Sequence, residues 1–256
     1  MSSQLKISVV TACFNSQATI GEAIATLKRQ SWGNVEHVVI DGASKDDTVE
    51  VARKTLGPVD VLVSEPDKGI YDALNKGIVN STGDIVGFLH SDDLYAHDEV
   101  LSRVAACFED PEIGAVYGDL QYVKAANTAH VMRHWKSGSF STDKLKYGWM
   151  PPHPTFFMRR ELYEELGGFD LVYRIAGDYD ALLRYLASDK VKVHYLPEVL
   201  VKMRLGGASN GSLKQIIRKS REDIFAMMKN GVNPLLALPI KNISKLSQYI
   251  VARLNN

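Results

Sequence analysis

The chain has 256 residues, 45% hydrophobic and 23% charged, with 30 basic residues balanced by 30 acidic ones. This composition excludes a disordered or collagen-like chain, and its neutral average gives no electrostatic footing for a nucleic-acid partner. Two cysteines, Cys13 and Cys107, without metal-ligand spacing argue against a disulfide framework and for a reducing compartment.

The first run, "KISVVTACF", is β-rich and apolar on both faces, and "SQATIGEAIATLKRQ" follows with Ile20, Ala23, Ile24 and Leu27 at helical spacing. "EHVVIDGAS" reads as a second buried strand ending at Asp41-Gly42. Ser44 with Asp47 reads as a capping box opening the helix "DDTVEVARKTL". "VDVLVSEPD" is a third strand, and Ile70, Ala73, Leu74, Gly77 and Ile78 mark a third helix. "GDIVGFLHSDD" is a fourth strand that drives into two adjacent carboxylates, and a helix is expected over 98–108.

Four strand–helix alternations with short connections predict a mostly parallel sheet flanked by helices. Ligands of such sheets sit beyond the carboxyl ends of the strands. That rule lines up Thr11–Asn15, Asp41, Glu65–Lys68 and Asp92–Asp93 along one rim. Any one of these residues is adequately explained as a turn or cap residue. Their convergence is the functional signal.

Beyond residue 110 the alternation breaks. "IGAVYGDLQYV" reads as a strand, the polar region up to Trp149 has no clear period, and helices resume at "RRELYEELGGF" and "DYDALLRYLAS". "VKVHYLPEVLVKMRL" reads as two strands broken at Pro197, and "GGASNGS" as a flexible boundary. Two amphipathic helices are expected over 212–230 and 239–254. From Leu213 onward eight basic residues face only Glu222 and Asp223, so this tail carries +6 and the remainder −6. No run approaches the ~18 apolar residues of a membrane span. The first fifteen residues also lack the length and charge of a signal peptide, so a cytoplasmic protein is expected.

No G-x-G-x-x-G follows the first strand and no G-x-x-x-x-G-K-[ST] occurs, which weakens dinucleotide-enzyme and P-loop readings. A diphosphate bound without such glycines needs another neutralising charge. A Mn²⁺ or Mg²⁺ ion held by carboxylates supplies one.

The set "VVTACFN", "VIDGASKDDT", "SEPDKGIYDALNKGI", "GDIVGFLHSDDLY", "HPTFFMRRELYEELGGFD", "AGDYDALLRYL" and "RLGGAS" resembles family 2 glycosyltransferases, over about residues 5–210. Among them it is most similar to the bacterial branch of exopolysaccharide, O-antigen and colanic-acid type. The resemblance implies an α/β protein of the GT-A fold, with a Rossmann-like, mostly parallel central sheet and a C-terminal helical extension. Its implied bounds are 1–205 for the catalytic domain and 206–256 for the basic tail. Within the domain, 1–110 would bind the nucleotide sugar and 111–205 the acceptor.

Carried over position by position, the resemblance implies that Thr11 and Asn15 line the nucleotide pocket. Asp41 would bond the edge of a uracil-like base, and Asp67 and Lys68 would lie near base and ribose. Asp92 first and Asp93 second would hold the metal. In many relatives the acidic motif is Asp-x-Asp, and here its first position is His90, which either contacts the donor or caps the strand. Asp178 matches the catalytic base, a role its place at a helix start suits, although simple capping suits it equally. His153 and Trp149 fall on the acceptor side, and each is as readily explained by packing. Arg204 either pairs with phosphate from a closing loop or is a surface arginine before a turn.

These readings combine into an inverting, metal-dependent transfer from a nucleotide-diphosphate sugar, UDP-linked, to a hydroxyl of a glycan or lipid-linked acceptor in bacterial surface polysaccharide synthesis. The rivals are a sugar nucleotidyltransferase, which needs a basic Gly-rich N-terminal loop that "TACFNSQ" does not supply, and a non-catalytic nucleotide-sugar-binding protein, which would not need Asp92, Asp93 and Asp178. The basic tail over 212–256 either docks on the domain, docks on a second copy in a homo-oligomer, or lies on the inner face of the plasma membrane.

Overall fold

The computed structural model describes residues 4–205 and 213–243. Strands β1 (Ile7–Cys13), β2 (Val35–Asp41), β3 (Val61–Ser64) and β4 (Ile85–Phe88) alternate with helices α1 (Ile20–Lys28), α2 (Thr48–Thr55) and α3 (Ile70–Asn80). β1 pairs in parallel with both β2 and β4, and β2 with β3, so this half is the wound α/β unit the alternation predicts. β1 and β2 are buried along almost their whole length, which is why both read as continuous apolar runs.

The second half adds β5 (Leu94–Tyr95), α4 (Val100–Cys107), β6 (Ile113–Lys124), β7 (Asn127–Trp135), β8 (Phe157–Arg159), α5 (Arg160–Leu166), α6 (Gly177–Ala187), β9 (Lys192–Leu205) and α7 (Leu213–Lys229). The nine-stranded sheet runs β3-β2-β1-β4-β8-β6-β9-β5, with β7 paired to β6 alone. β8 lies antiparallel between β4 and β6 and joins the two halves into one sheet. A 3-10 turn, His153–Thr155, leads into it.

Alternating side chains send β1 into two cores. Val10 belongs to the core that also takes in residues of α3, α6 and α7, including Ala226 and Met227, while Ile7 and Val9 belong to the one shared with α1 and α4. Gly77 on α3 allows the closest approach to the sheet. A Cβ there would lie 2.1 Å from Val10 Cγ1.

Three local expectations are corrected. The region over 125–149 carries β7, a half-exposed antiparallel partner of β6 whose pairing slips between Tyr122 and Lys124, so no clean period-2 pattern survives. The segment around Pro197 is one strand, not two. Its pairing with β6 jumps from Tyr117–Tyr195 to Asp119–Val199, and the irregularity absorbs the proline. The capping box is not formed, because the Ser44 hydroxyl turns to Asp41 and Asp46 takes the Thr48 N–H at 3.1 Å instead. A further helical stretch occupies 234–243, earlier than the 239 start expected, and residues 244–254 of that expected helix lie outside the described residues.

Candidate functional site

The carboxyl ends of β1 and β4 lie side by side where the chain order reverses, the position at which open α/β sheets bind ligands. Leu89 N–H donates to Val10 O at 3.0 Å, and Ser91 Oγ meets Ser16 Oγ at 3.0 Å, tying the two loops together. Asn15 adopts φ 49°, and its side chain accepts the Lys45 N–H at 2.9 Å while its own N–H donates to Ser44. The β1 and β2 loops therefore form one continuous rim.

Asp41 ends β2 fully buried, accepting from the Ser44 N–H at 3.0 Å, the Ser64 hydroxyl at 2.6 Å and the Ser44 hydroxyl. Its first job is to bind the rim loops together, and a nucleobase edge would have to displace one of these donors. Asp67 is half-exposed and caps the Gly69 N–H at 2.8 Å, and Lys68 is exposed beside it. Thr11 does not line the pocket: it is fully buried, donating to Leu89 O at 2.7 Å and facing the His37 ring nitrogen at 2.9 Å. It stitches β4 to β1 from inside.

The acidic pair separates into two environments. Asp92 is half-buried and opens to the rim, whereas Asp93 is fully buried with no hydrogen-bond partner on either oxygen. Burial, reinforced by the neighbouring Asp92, pushes Asp93 well above the ordinary carboxylate range. Arg204 is the cation nearest this pair, yet it is buried, donating to the Asp92 carbonyl at 2.8 Å and pairing with Glu22. Its guanidinium thus clamps the end of β9 to the turn after β4 and to α1.

His90 and His153 stand between these carboxylates and α6. Their ring centroids are 5.9 Å apart, and His153 lies 4.9 Å from Phe88 and 5.4 Å from Phe169. Burial pushes His153 down to about 4, so the ring is neutral at neutral pH, and His90 is lowered by burial despite Asp92 and Asp178 nearby. Asp178, the second residue of α6, is half-exposed at the helix N-terminus. The Tyr71 hydroxyl donates to Ile175 O at 2.7 Å and lies 3.2 Å from Asp178 Oδ1. Gly177 makes this possible, since a Cβ there would meet the Tyr71 ring at 2.8–2.9 Å.

Trp149 is half-buried away from this cluster, packed on Tyr117 and Phe140 with its indole donating to Ser137 O at 3.3 Å. The structure thus brings Asp92, His90, His153 and Asp178 close together beyond the strand ends, with Asn15, Asp67 and Lys68 on the loops of the same rim. Thr11, Asp93 and Arg204 are buried behind it, Thr11 and Arg204 tying neighbouring segments together.

The Glycosyl transferase family 2 model matches residues 8–167, which takes in the whole wound half, both histidines and β8. The chain belongs to glycosyltransferase family 2. It is 30% identical over 208 residues to a PGL/p-HBAD biosynthesis glycosyltransferase of Mycobacterium bovis (strain BCG / Pasteur 1173P2), covering 79% of this chain and 78% of that one. An uncharacterized glycosyltransferase of Mycobacterium tuberculosis (strain CDC 1551 / Oshkosh) is 32% identical over 187 residues, 72% of this chain and 70% of its own. Among solved structures, a mannosyltransferase from Pyrobaculum calidifontis in complex with GDP-Man and Mn²⁺ superposes with a TM-score of 0.67 at 21% identity. The match covers 98% of this chain and 74% of that one. The S. aureus TarS complex with UDP-GlcNAc gives 0.69 at 18%, covering 92% and 70%. These likenesses fix the GT-A fold.

Sequence reasoning on this glycosyltransferase missed Tyr71, which lies in the quoted "SEPDKGIYDALNKG" but stands outside the apolar spacing that marks α3. It also missed Glu222, which looked like one of two stray acids in a basic tail.

Proposed function

We propose that this glycosyltransferase moves a sugar from a nucleotide-diphosphate donor, UDP-linked, to a hydroxyl of a glycan or lipid-linked acceptor, with inversion and with help from a divalent cation. The observation that carries this is the pairing of an accessible Asp178 at the start of α6 with an accessible Asp92 at the end of β4, across the two histidines. Asp178 takes the proton of the acceptor hydroxyl as that oxygen attacks the anomeric carbon. The new C–O bond forms on the face opposite the departing diphosphate, so one displacement inverts the centre, and the electron pair leaves with the phosphate oxygen. Tyr71 holds Asp178 in place, and His153, neutral, stands nearby without adding charge.

The residues suit a hard cation. Among the described residues no three His, Cys, Asp or Glu side chains converge, so a metal would rest on Asp92 and draw its other ligands from phosphate oxygens and water, as Mg²⁺ and Mn²⁺ commonly do. Asp93, buried behind Asp92 with both oxygens unpaired, stands second as a ligand. When bound, the ion would stabilise negative charge on the leaving diphosphate. The Mn²⁺ and GDP-Man of the Pyrobaculum structure and the UDP-GlcNAc of TarS support this reading. The name of the mycobacterial relatives, PGL/p-HBAD biosynthesis, supports a biosynthetic transfer in bacteria. Asn15, Asp67 and Lys68 would meet the nucleotide, with Asp41 setting the rim that faces the base.

The test is release of nucleoside diphosphate from a panel of UDP- and GDP-sugars. Turnover should require Mn²⁺ or Mg²⁺ and stop with chelator. Asp92→Ala should abolish it, and Asp178→Asn should cut kcat by about 10²–10⁴-fold, the usual worth of a general base. Chelator-insensitive release would remove the metal from the mechanism.

The outer face of the tail suits contact with an anionic membrane at the cytoplasmic surface. Ile216, Ile217, Phe225 and Met228 are exposed on α7 beside Arg218 and Arg221. Among the described residues no helix is long and apolar enough to cross a membrane.

A further inference from the structure

The tail helix reaches back into the catalytic half at one point. Glu222 Oε2 accepts the N–H groups of Arg174, Ile175 and Ala176 at 3.1, 2.8 and 3.0 Å. These are three consecutive amides, and Ala176 is the cap residue of α6, two positions before Asp178. The carbonyl of Ile175 also takes the Tyr71 hydroxyl at 2.7 Å, and that hydroxyl reaches Asp178. The loop ahead of Asp178 is therefore held from both sides, by α3 through Tyr71 and by α7 through Glu222.

We propose that Glu222 is a positioning residue for catalysis: its carboxylate gathers the three amides preceding α6 and so fixes the place of Asp178, making the tail helix part of the active-site framework. This rests on the reading of Asp178 as the base. A carboxylate that collects three backbone N–H groups is a strong fixed anchor. The three amides lie at the approach to α6, beside the N–H groups a helix start leaves without intrahelical partners. Position matters because a displacement of about 1 Å at a catalytic group can cost on the order of 10²-fold in rate.

Seating of α7 does not depend on Glu222. Ala226 and Met227 are fully buried, Asp223 pairs with Lys241 at 2.9 Å and with Lys219 at 3.2 Å, and Asn230 donates to Asp180 at 3.0 Å. Lys241 Nζ sits 3.0 Å from the centre of the Tyr179 ring, on the residue after Asp178. Removing the Glu222 carboxylate thus leaves the helix in place and frees only the loop.

The experiment uses the full chain and the UDP- or GDP-sugar that the wild type hydrolyses fastest with Mn²⁺. Glu222→Ala should lower kcat by about 10- to 100-fold while donor KM moves less than about twofold, the signature of a lost transition-state arrangement. Hydrogen exchange at amides 174–176 should accelerate, with the amides of α7 unchanged. Glu222→Gln keeps an acceptor oxygen and should restore kcat to within about threefold of wild type. Wild-type kcat with protected amides in Glu222→Ala would overturn the proposal. Equal losses in the alanine and glutamine variants, together with a lowered melting temperature, would overturn it in favour of a purely structural role. Should Glu222→Ala fail to fold, Glu222→Asp, which withdraws the carboxylate by one methylene, takes its place. An unchanged kcat there is equally fatal. Asp178→Asn separates the two readings: full turnover in that variant removes the base and this inference together, whereas an inactive Asp178→Asn beside a fully active Glu222→Ala removes this inference alone.

Discussion

His37 and His153 show how a buried ring acquires a pH signature. Both are held neutral and pushed down to about 4, chiefly by burial, from an ordinary 6.5. Between those values the unfolded chain binds protons that the folded chain refuses, so stability falls as pH drops from 6.5 towards 4 and is flat above. Each unit of separation corresponds to about 1.4 kcal/mol. A melting-temperature profile over that window should flatten in His37→Gln, and an unchanged slope would assign the effect elsewhere. Gly177 makes a second prediction. Its missing Cβ is the space the Tyr71 ring occupies, so Gly177→Ala should push Tyr71 away from Asp178 and lower kcat, at an overpacking cost of about 1–3 kcal/mol in stability. A variant with wild-type kcat would show that Tyr71 does not hold the base. Of the candidate residues, Asp92 and Asp178 stand out in the sequence only as part of a set, since one carboxylate at a strand end or helix start is ordinary as a turn or cap residue. Thr11 and Arg204 turn inward, which motif position does not reveal, because it says nothing of which way a side chain turns.

Elements with a clean period were read correctly, and those shaped by their partners were not. β1, β2, β4 and α3 carry their packing in composition and spacing, since each is buried mainly by one kind of neighbour. β7 is paired on one edge only and slips register, so its pattern of exposure is irregular and no alternation marks it. Helix α7 is the instructive case, because its charged residues are divided by direction. Burial pushes the Asp223 carboxyl up, but Lys241 and Lys219 together outweigh that and hold it below its usual 3.8. A depressed acid gives stability above its unfolded pKa and loses it as pH falls through the folded one. The tail should therefore loosen below about pH 4, where the unfolded carboxylate protonates. Limited proteolysis between pH 5 and 3 would detect this as cleavage within α7, and Asp223→Asn should show the same susceptibility already at pH 5.

For the molecule as a whole, the tail both closes the core and presents an apolar, basic outer face. Met227 and Ala226 belong to the larger hydrophobic cluster, and Met227→Ala should cost about 2–5 kcal/mol, as buried Met losses do. The exposed Ile217 and Met228 point the other way. Replacing both by Ser should weaken binding to vesicles containing anionic lipid at low salt while leaving the melting temperature within a degree or two. Equal binding would remove the membrane reading.

The wound α/β half and the rim of strand ends were set by local physics: buried strands need apolar residues, and helices need a period. Contacts between distant segments decided the rest. That Arg204 turns to Asp92 and Glu22, that Asp93 is buried while Asp92 is not, and that Glu222 gathers the amides ahead of α6 all depend on segments far apart in the chain. One-dimensional spacing carries periodicity but not the direction in which a side chain points, and the outcome at each of these residues turns on that direction.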